Sequence, residues 1–335
     1  MKSILITGGS GFIGSFIVEE ALRQGYDTWV VVRSTTSLKY LQDSRIHLLE
    51  LNMGDKERLQ KQLAVALKGI NYWDYVVHCA GLTKTVNKQQ FDVVNHLHTV
   101  HLVETLDILN ARPKRFILMS SLSIFGPLHE QDYHPIKLTD TPKPNTAYGR
   151  SKYEAEKFLT SIEGYPYIIL RPTGVYGPRD KDYFLMAKSI KGHIDTAVGY
   201  KKQIITFVYV TDLVDALFLA INNEVFRRAY FLSDGGEYES ATYSELIKKE
   251  LGNPWMLRIK FPLFVLYLVS ALLEGISKIS KKPSTLNLDK YHIMKQRNWR
   301  CDLSAAREEL GYIPKVSLAE GVKRCVAWYR ENKWL

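Results

Sequence analysis

Tyr148 and Lys152 form the clearest chemical pattern in the chain, a phenol and an ammonium group four residues apart. On a helix, side chains at this spacing lie on the same face, so both groups act at one place. A tyrosine has a pKa of about 10 in water and is a poor base at neutral pH, but a fixed cation nearby favours its phenolate. The pattern predicts a tyrosine that passes a proton to or from an oxygen atom, assisted by the lysine.

A glycine-rich turn near the start of the chain predicts a second site. The apolar residues 3–6 predict a strand and the apolar spacing over 12–24 predicts a helix, so Gly8, Gly11 and Gly14 lie where one leads into the other. Glycines allow a tight turn and close backbone approach, and the helix start supplies N–H groups and positive dipole. This indicates a dinucleotide site. Its predicted contacts are Gly8, Ser10, Gly11, Phe12, Ile13 and Gly14.

The chain continues with apolar runs that alternate with amphipathic stretches. This alternation indicates an α/β fold with a doubly wound parallel sheet of the Rossmann type. Strands are predicted near residues 3–7, 28–32, 46–51, 75–79, 115–120 and 167–171, and helices near 12–24, 55–67, 89–110 and 147–163. The segment from Gly126 to Tyr148 holds four prolines and is predicted to be a loop over the active site.

A chain of 335 residues suits one large cofactor domain and a smaller appended domain. We predict a dinucleotide-binding domain over residues 1–173, to which elements return at 204–222. The remaining residues, 174–335, are predicted to form mainly a C-terminal substrate domain. Its predicted helices lie near residues 180–191, 211–222, 242–251, 261–279 and 303–310.

The glycine spacing and the Tyr-x-x-x-Lys motif together resemble the extended branch of the short-chain dehydrogenase/reductase superfamily, the NAD-dependent epimerase/dehydratase family. Four further segments are similar to this family, in the same order along the chain. They are residues 76–81, 120–126, 171–178 and 207–213. The resemblance implies a hydride and a proton transferred at one substrate carbon, and homodimers that pair through the helices at 89–110 and 147–163.

The resemblance also implies roles for individual residues. Ser121, rather than Ser120, is expected to hydrogen-bond the substrate oxygen, and Tyr148 to transfer the proton. Lys152 is expected to hold the nicotinamide ribose, and Asn95 to support the proton relay. Other implied cofactor contacts are Cys79, Ala80, Gly81, Pro172 and Val175, and implied substrate contacts are Thr83, Ser123 and Tyr176.

The end of the second predicted strand bears on the choice of cofactor. An acidic residue there would bind the adenine ribose hydroxyls of NAD, but the position holds Arg33. An arginine can pair with a 2′-phosphate and stack on adenine. NADP is therefore predicted, with NAD as the alternative. Asn52 and Met53 resemble the family's Asp-hydrophobic pair at the adenine, with asparagine in place of aspartate.

The substrate is predicted from a residue that the chain lacks. Members resembling nucleotide-sugar epimerases and dehydratases carry a diphosphate-binding arginine where this chain has Ile205, although Lys201 and Lys202 are near. The segments 177–182 and 302–312 look more like the dihydroflavonol-reductase and 3β-hydroxysteroid-dehydrogenase side. We therefore predict an NADP-dependent ketoreductase of an apolar, lipid-like substrate such as a 3-keto lipid. The alternatives are a nucleotide-sugar epimerase or dehydratase with tightly bound NAD, and a non-catalytic scaffold.

An uncharged run at residues 261–273 supports the lipid hypothesis. A helix needs about 20 apolar residues to cross a bilayer, so this run is too short, but it can lie in the interface. Its basic flanks are Arg258, Lys260, Lys278, Lys281 and Lys282. The pattern predicts peripheral membrane contact through residues 258–282. The other interpretation is a buried helix that lines the substrate pocket.

Composition narrows the remaining classes. The net charge is +10, and residues 255–335 hold 15 basic against 7 acidic side chains. No nucleic-acid-binding motif accompanies this charge, so no nucleic-acid partner is predicted. Three scattered cysteines give neither a disulfide framework nor a metal site. We predict a cytoplasmic protein without a structural metal, with peripheral contact at the inner membrane face.

Overall fold

The computed structural model describes residues 1–280, 284 and 286–335. Strands and helices alternate in its first half. The strands are β1 (Ser3–Thr7), β2 (Asp27–Val32), β3 (Ile46–Glu50), β4 (Tyr75–His78), β5 (Arg115–Met119) and β6 (Tyr167–Pro172). The helices are α1 (Phe12–Arg23), α2 (Lys56–Ala66), α3 (Gln89–Asp92), α4 (His98–Ile108) and α5 (Ala147–Ser161), with a π-helical turn at Val93–Leu97 between α3 and α4.

The second half contains shorter strands and more irregular connections. Its strands are β7 (Gly174–Tyr176), β8 (Ile194–Val198), β9 (Ile204–Ile205), β10 (Phe207–Tyr209), β11 (Arg228–Leu232), β12 (Tyr238–Glu239) and β13 (Leu257–Phe261). Its helices are α6 (Lys181–Lys191), α7 (Val210–Asn222), α8 (Thr242–Glu250), α9 (Leu263–Ser280), α10 (Leu288–Lys295), α11 (Ser304–Leu310) and α12 (Leu318–Glu331).

The central sheet has seven strands in the order β11-β6-β5-β4-β1-β2-β3. The pairs from β6 through β3 are parallel. Every residue of β1 is buried, as expected for a strand covered on both faces. Chain order reverses between β1 and β4, and a sheet of this class binds ligands outside the carboxyl ends of its strands at such a point.

The chain forms two compact units. Unit 1 comprises Met1–Ser121, Ala147–Arg171 and Val214–Tyr230, and unit 2 comprises Leu122–Thr146, Pro172–Leu213 and Phe231–Leu335. The core of unit 1 packs Trp73, Phe116 and Tyr165 with the aliphatic residues of the sheet and its helices. The core of unit 2 is rich in aromatic side chains, among them Tyr176, Phe207, Tyr243 and Tyr329.

The α/β prediction is confirmed, and the predicted elements of the first half begin and end within two residues of the observed ones, except for one helix. The predicted helix at 89–110 is divided by the π-helical turn at Val93–Leu97. The observed units also divide the chain differently, since residues 122–146 belong to unit 2 and 214–230 to unit 1. Homodimer pairing through 89–110 and 147–163 stays a prediction.

Candidate active site

The glycine turn lies at the carboxyl end of β1, where its backbone leaves no room for side chains. Gly8 has a φ of +74°, and a Cβ on it would lie 2.7 Å from the amide nitrogen of Ala80. A Cβ on Gly14 would collide with the carbonyl oxygen of Gly8. The Gly11 amide donates to that same oxygen over 3.0 Å, and α1 begins at the next residue. This bare turn at a helix start fits a pyrophosphate.

A second loop, Cys79–Gly81, joins the glycine turn to the catalytic residues. The Ala80 amide donates to the Thr7 hydroxyl over 3.1 Å, which holds the loop beside β1. A Cβ on Gly81 would lie 3.0 Å from the Lys152 Nζ atom and 3.2 Å from the Asn95 Oδ1 atom. The residues predicted to hold the dinucleotide and those predicted to perform the chemistry therefore meet at this loop.

Ser121 and Tyr148 come together from two elements of unit 1. Ser121 follows the end of β5, Tyr148 lies in the first turn of α5, and their side chains share a hydrogen bond. Burial raises the pKa of Tyr148 to about 12, the Ser121 hydrogen bond lowers it, and the nearby Cys79 raises it. The phenol is therefore protonated at neutral pH. The expected lowering of this pKa by Lys152 is not met, because desolvation outweighs the other effects.

Lys152 is buried, and its Nζ atom donates to the carbonyl oxygen of Met119 over 2.8 Å. Burial lowers the pKa of Lys152 to about 8, while Cys79 and Glu156 raise it. The carbonyl is the last of β5, two residues before Ser121. The lysine is thus fixed against the strand end that also presents the serine.

Ser120 has a different environment from its neighbour Ser121. Its hydroxyl donates to Glu156, a buried carboxylate that also forms an ion pair with Arg171 over 2.6 Å. A serine bound to this ion pair is not available to a substrate oxygen. The structure therefore places Ser121, rather than Ser120, next to Tyr148.

Asn95 lies in the π-helical turn and is buried. Its Nδ2 atom donates to the Ser151 hydroxyl over 2.9 Å and to the Leu82 carbonyl over 3.1 Å, and its Oδ1 atom accepts from the Leu82 amide over 2.7 Å. The side chain therefore ties α5 to the loop that follows β4. It positions the lysine-bearing helix and the cofactor loop relative to each other.

The predicted adenine contacts lie at the carboxyl ends of β2 and β3. Arg33 is exposed, and Asn52 and Met53 are partly exposed. The Asn52 Oδ1 atom accepts from the Gly54 amide over 3.1 Å, and the Met53 carbonyl contacts the Nδ1 atom of His101 over 2.8 Å. A Cβ on Gly54 would lie 3.5 Å from the Nε2 atom of His98, and burial lowers the pKa of His98 to about 4, with smaller contributions from His101 and Arg33. His98 therefore belongs to the same edge.

The three predicted substrate contacts differ in their exposure. Thr83 is exposed in the loop after β4, and Ser123 is buried in the 3-10 turn Leu122–Phe125. Tyr176 is wholly inside the unit 2 core, where its ring meets four aromatic side chains and its hydroxyl lies against Gly321. It has no path to a substrate, so this assignment is corrected. Two predicted cofactor contacts lie nearby in the sequence. Pro172 is buried at the end of β6, and Val175 is partly exposed in β7.

Sequence reasoning missed two residues of the site. Glu156 is buried and lies eight residues after Tyr148 on α5. An acid at this position on the helix indicates a partner at the end of β5, where Ser120 lies. His98 lies three residues after Asn95, so a helical projection of residues 95–101 would have placed the two side chains on the same face. Among the described residues, no group of three or more His, Cys, Asp or Glu side chains could hold a metal ion.

The doubly wound sheet, the bare glycine turn and the half-buried Tyr148 beside the buried Lys152 are the features of a dinucleotide-binding fold with a candidate acid/base site. The chain matches the model of the NAD dependent epimerase/dehydratase family over residues 4–230. It belongs to this family of enzymes.

Relatives extend over the whole chain. A putative UDP-glucose 4-epimerase of Methanocaldococcus jannaschii is 26% identical, with 98% of this chain and 99% of that protein covered. A UDP-glucose 4-epimerase of Vibrio cholerae is also 26% identical, with 96% and 94% covered. Among solved structures, a UDP-glucose 4-epimerase with UDP-glucose from Thermotoga maritima has a TM-score of 0.78 at 24% identity, with 99% of each chain covered. At that identity the likeness supports the fold alone.

The predicted ketoreductase of a lipid-like substrate is wrong. The two relatives described above are both named as UDP-glucose 4-epimerases, which fits the alternative hypothesis. The prediction depended on the absence of an arginine at position 205. Ile205, which stands there, pairs with Tyr238 between β9 and β12 and packs on the aromatic core. The lysines four and three residues before it line a pocket, so a single position did not decide the substrate class.

Proposed function

We propose that this protein is a nucleotide-sugar 4-epimerase that keeps a nicotinamide dinucleotide bound throughout its cycle. The observation that carries the proposal is the Ser121, Tyr148 and Lys152 arrangement beside the glycine turn, in a chain whose full-length relatives include UDP-glucose 4-epimerases. The bound dinucleotide would supply the chemistry of taking a hydride from the sugar carbon and returning it to the opposite face.

The residues of the chain supply proton transfer and orientation. Ser121 would hold the sugar oxygen, while Tyr148 takes its proton as the carbon is oxidised and returns a proton as the carbon is reduced. Because the pKa of Tyr148 is about 12, its phenol can donate a proton at neutral pH, and it needs a nearby cation to accept one. Lys152 can provide this cation one helical turn away on α5. Asn95 keeps that helix in register with the cofactor loop.

Epimerisation is favoured over dehydration by what surrounds the serine. Loss of water from a sugar needs an acid and a base at neighbouring carbons, in addition to the group that moves the hydroxyl proton. The segment from Arg115 to His129, which carries Ser121, contains no aspartate or glutamate. The nearest buried carboxylate on α5, Glu156, is already paired with Arg171. The arrangement therefore suits a reaction that needs one acid/base.

A basic pocket of about 340 Å³ in unit 2 supports an anionic substrate. Its charged lining residues are Lys201, Lys202, Arg258 and Lys260, with one carboxylate, Glu239. The two lysines before β9 and Lys260 are exposed, whereas Arg258 is bound to Asp195 over 2.6 Å. Exposed ammonium groups can pair with a diphosphate. We propose that this pocket takes the diphosphate in place of an arginine at Ile205.

The pocket assignment predicts a change in KM. Replacing Lys201 and Lys202 by glutamate should raise KM for the nucleotide sugar at least tenfold and leave kcat within about threefold, because the reacting atoms are untouched. The matched control is Lys249→Glu, an exposed lysine on α8 outside the pocket. Equal KM values for the two variants would contradict the assignment.

The cofactor is proposed to be NADP, because Arg33 is exposed at the end of β2 and can pair with a 2′-phosphate. Titration of the purified protein, freed of bound cofactor, should show NADP binding at least tenfold tighter than NAD, equivalent to about 1.4 kcal/mol. Arg33→Asp should reverse the order, whereas Arg45→Asp, on a neighbouring exposed turn, should not. Equal affinities in the unaltered protein would contradict this choice.

The reaction itself is tested with UDP-glucose and UDP-galactose in deuterated water. We expect interconversion without net reduction of the cofactor and without deuterium at the inverted carbon, because the hydrogen leaves and returns as a hydride. Loss of water with deuterium uptake would instead indicate a dehydratase. No turnover of UDP- or dTDP-sugars, with the cofactor bound, would overturn the proposal.

A further inference from the structure

Helix α9 (Leu263–Ser280) presents its apolar side chains to solvent. Its exposed residues include Phe264 at 68%, Leu268 at 62%, Leu272 at 65% and Ile279 at 85% of their full accessible surface. The first three are four residues apart and form one stripe along the helix, which Ile276 continues at 51%. We call these five residues the α9 stripe.

The opposite face of α9, which packs on the protein, is the less apolar one. Its buried residues are Leu266, Ser270 and Ser277. The Ser270 hydroxyl is satisfied within the helix, because it donates to the Leu266 carbonyl over 2.6 Å. Amphipathic helices of water-soluble domains ordinarily bury the apolar face, and α9 does the reverse. A contiguous apolar surface of this kind marks a site that something else covers.

Length and composition alone would allow α9 to cross a membrane, with 18 residues, a mean hydropathy of 1.6 and 17% of them buried. Its connections favour another arrangement. The preceding strand β13 pairs with β8 over its whole length. After the helix, the Leu288 amide donates to Glu274 over 3.1 Å, and Tyr291 of α10 meets Tyr267 at 5.5 Å. Both ends return to unit 2, so α9 lies along its surface.

The charges around α9 identify the kind of surface that fits it. Residues 258–295 hold seven lysines and arginines against two acidic residues. Lys260, just before the helix, and Lys278, in its last turn, are exposed. Lysines beside an apolar helix face strengthen its attraction to anionic lipids. A soluble protein partner would offer no particular reason for this combination, whereas an anionic bilayer matches both properties.

We propose that α9 docks unit 2 on an anionic lipid surface, with the α9 stripe inserted among the acyl chains and Lys260 and Lys278 at the headgroups. The helix then lies parallel to the membrane plane. This inference is independent of the proposed epimerase activity, because the α9 stripe and Lys278 lie outside both the candidate active site and the pocket assigned to the diphosphate. It also differs from the rejected lipid-substrate hypothesis, since the lipid is here a surface and not a reactant.

The test is sedimentation of the purified full chain with phosphatidylcholine vesicles that contain increasing phosphatidylglycerol. The chain should bind at least tenfold more strongly when phosphatidylglycerol is present, and salt should weaken binding. Leu268→Glu with Leu272→Glu should lower binding at least tenfold. The matched control is Ile313→Glu, which adds the same charge at a side chain that is 75% exposed elsewhere in unit 2. Lys278→Glu, at the other end of the helix, should reduce the lipid-charge dependence.

A conservative variant guards against misfolding of the glutamate variants. Phe264→Trp should show a blue-shifted emission and quenching by brominated lipids when phosphatidylglycerol vesicles are added. Turnover of nucleotide sugars in solution should be the same in all these variants, so its loss would reflect the fold or the active site and not docking. Absence of binding at low salt, or self-association abolished by Leu268→Glu, would overturn the proposal; the latter would identify a second copy as the cover.

Discussion

Helices α5 and α9 both break the usual rule that charged residues lie outside and apolar residues inside, but in opposite ways. Helix α5 buries Lys152 and Glu156, whereas α9 exposes the stripe defined above. Each buried polar group of α5 has a partner in unit 1, so its cost is offset inside the protein. The free-energy cost of exposing the α9 stripe to water is not offset by any such contact among the described residues. The comparison separates a site completed by the chain itself from one that needs an external surface.

The largest effect should follow from removing the partner of a buried charge on α5. Glu156→Ala leaves Arg171 without its ion pair, so the free energy of unfolding should fall by about 3–5 kcal/mol. Glu154→Ala is the matched control, because its ion pair with Lys157 is exposed and should matter by less than about 1 kcal/mol. Chemical denaturation measures both. Similar losses of stability in the two variants would contradict the distinction between the buried and the exposed ion pair of α5.

Next in size is the loss of proton transfer. Tyr148→Phe should lower kcat at least about 100-fold, while cofactor affinity changes little, because only the acid/base is removed. Tyr153→Phe, five residues later on the same helix, should keep normal turnover. Steady-state kinetics and cofactor titration separate the two quantities. A Tyr148→Phe variant with normal kcat would remove the tyrosine from the mechanism.

The buried ammonium group of Lys152 predicts a dependence of stability on pH. Its folded pKa of about 8 lies below the ordinary value of 10.5, so between these values the unfolded chain binds more protons. The contribution of Lys152 to stability should therefore rise with pH from about 8 to 10.5, by at most about 1.4 kcal/mol per pH unit, and be constant below about 8, where the lysine is protonated in both states. Lys152→Met should flatten this slope, and Lys157→Met should not. Denaturant titrations at several pH values measure it.

The smallest change is expected on the exposed face of α9. Leu272→Ala should alter the free energy of unfolding in the absence of lipid by less than about 0.5 kcal/mol, because little buried contact is lost. Leu266→Ala, on the buried face of the same helix, should cost about 2 kcal/mol or more. Equal costs would indicate that the stripe is already covered in solution.

The sequence predicted the parts of the protein in which local pattern and tertiary structure agree. The first-half strands and the glycine turn follow from apolar runs and from close backbone contacts that only glycine permits, as at Gly14. The π-helical turn at Asn95 could not be predicted, because it depends on hydrogen bonds to Leu82 and Ser151, distant in sequence. Tyr176 was misassigned because its motif gives no sign that aromatic neighbours enclose it.

The substrate class could not be decided at one position for a similar reason. Ile205 was compared with an arginine, but a diphosphate can be held by any well-placed cations, and the two lysines before β9 lie at a pocket that only the folded chain reveals. The orientation of α9 was also not readable from its composition. Its apolar run fits a buried helix as well as an exposed one, and burial depends on the elements that pack beside it.

The adjacent serines at the end of β5 restrict how this enzyme could be altered. Ser120 binds Glu156 and Ser121 binds Tyr148, so two neighbouring hydroxyls address two points on α5. Neighbouring residues of an extended chain point in opposite directions. Deleting one residue within β5 would move Ser121 to the position of Ser120 and Leu122 to the position of Ser121, so the hydroxyl beside Tyr148 would be lost while the strand could still join the sheet. The number of residues in β5 thus fixes which serine faces Tyr148, so we expect β5 to tolerate substitutions more readily than insertions or deletions.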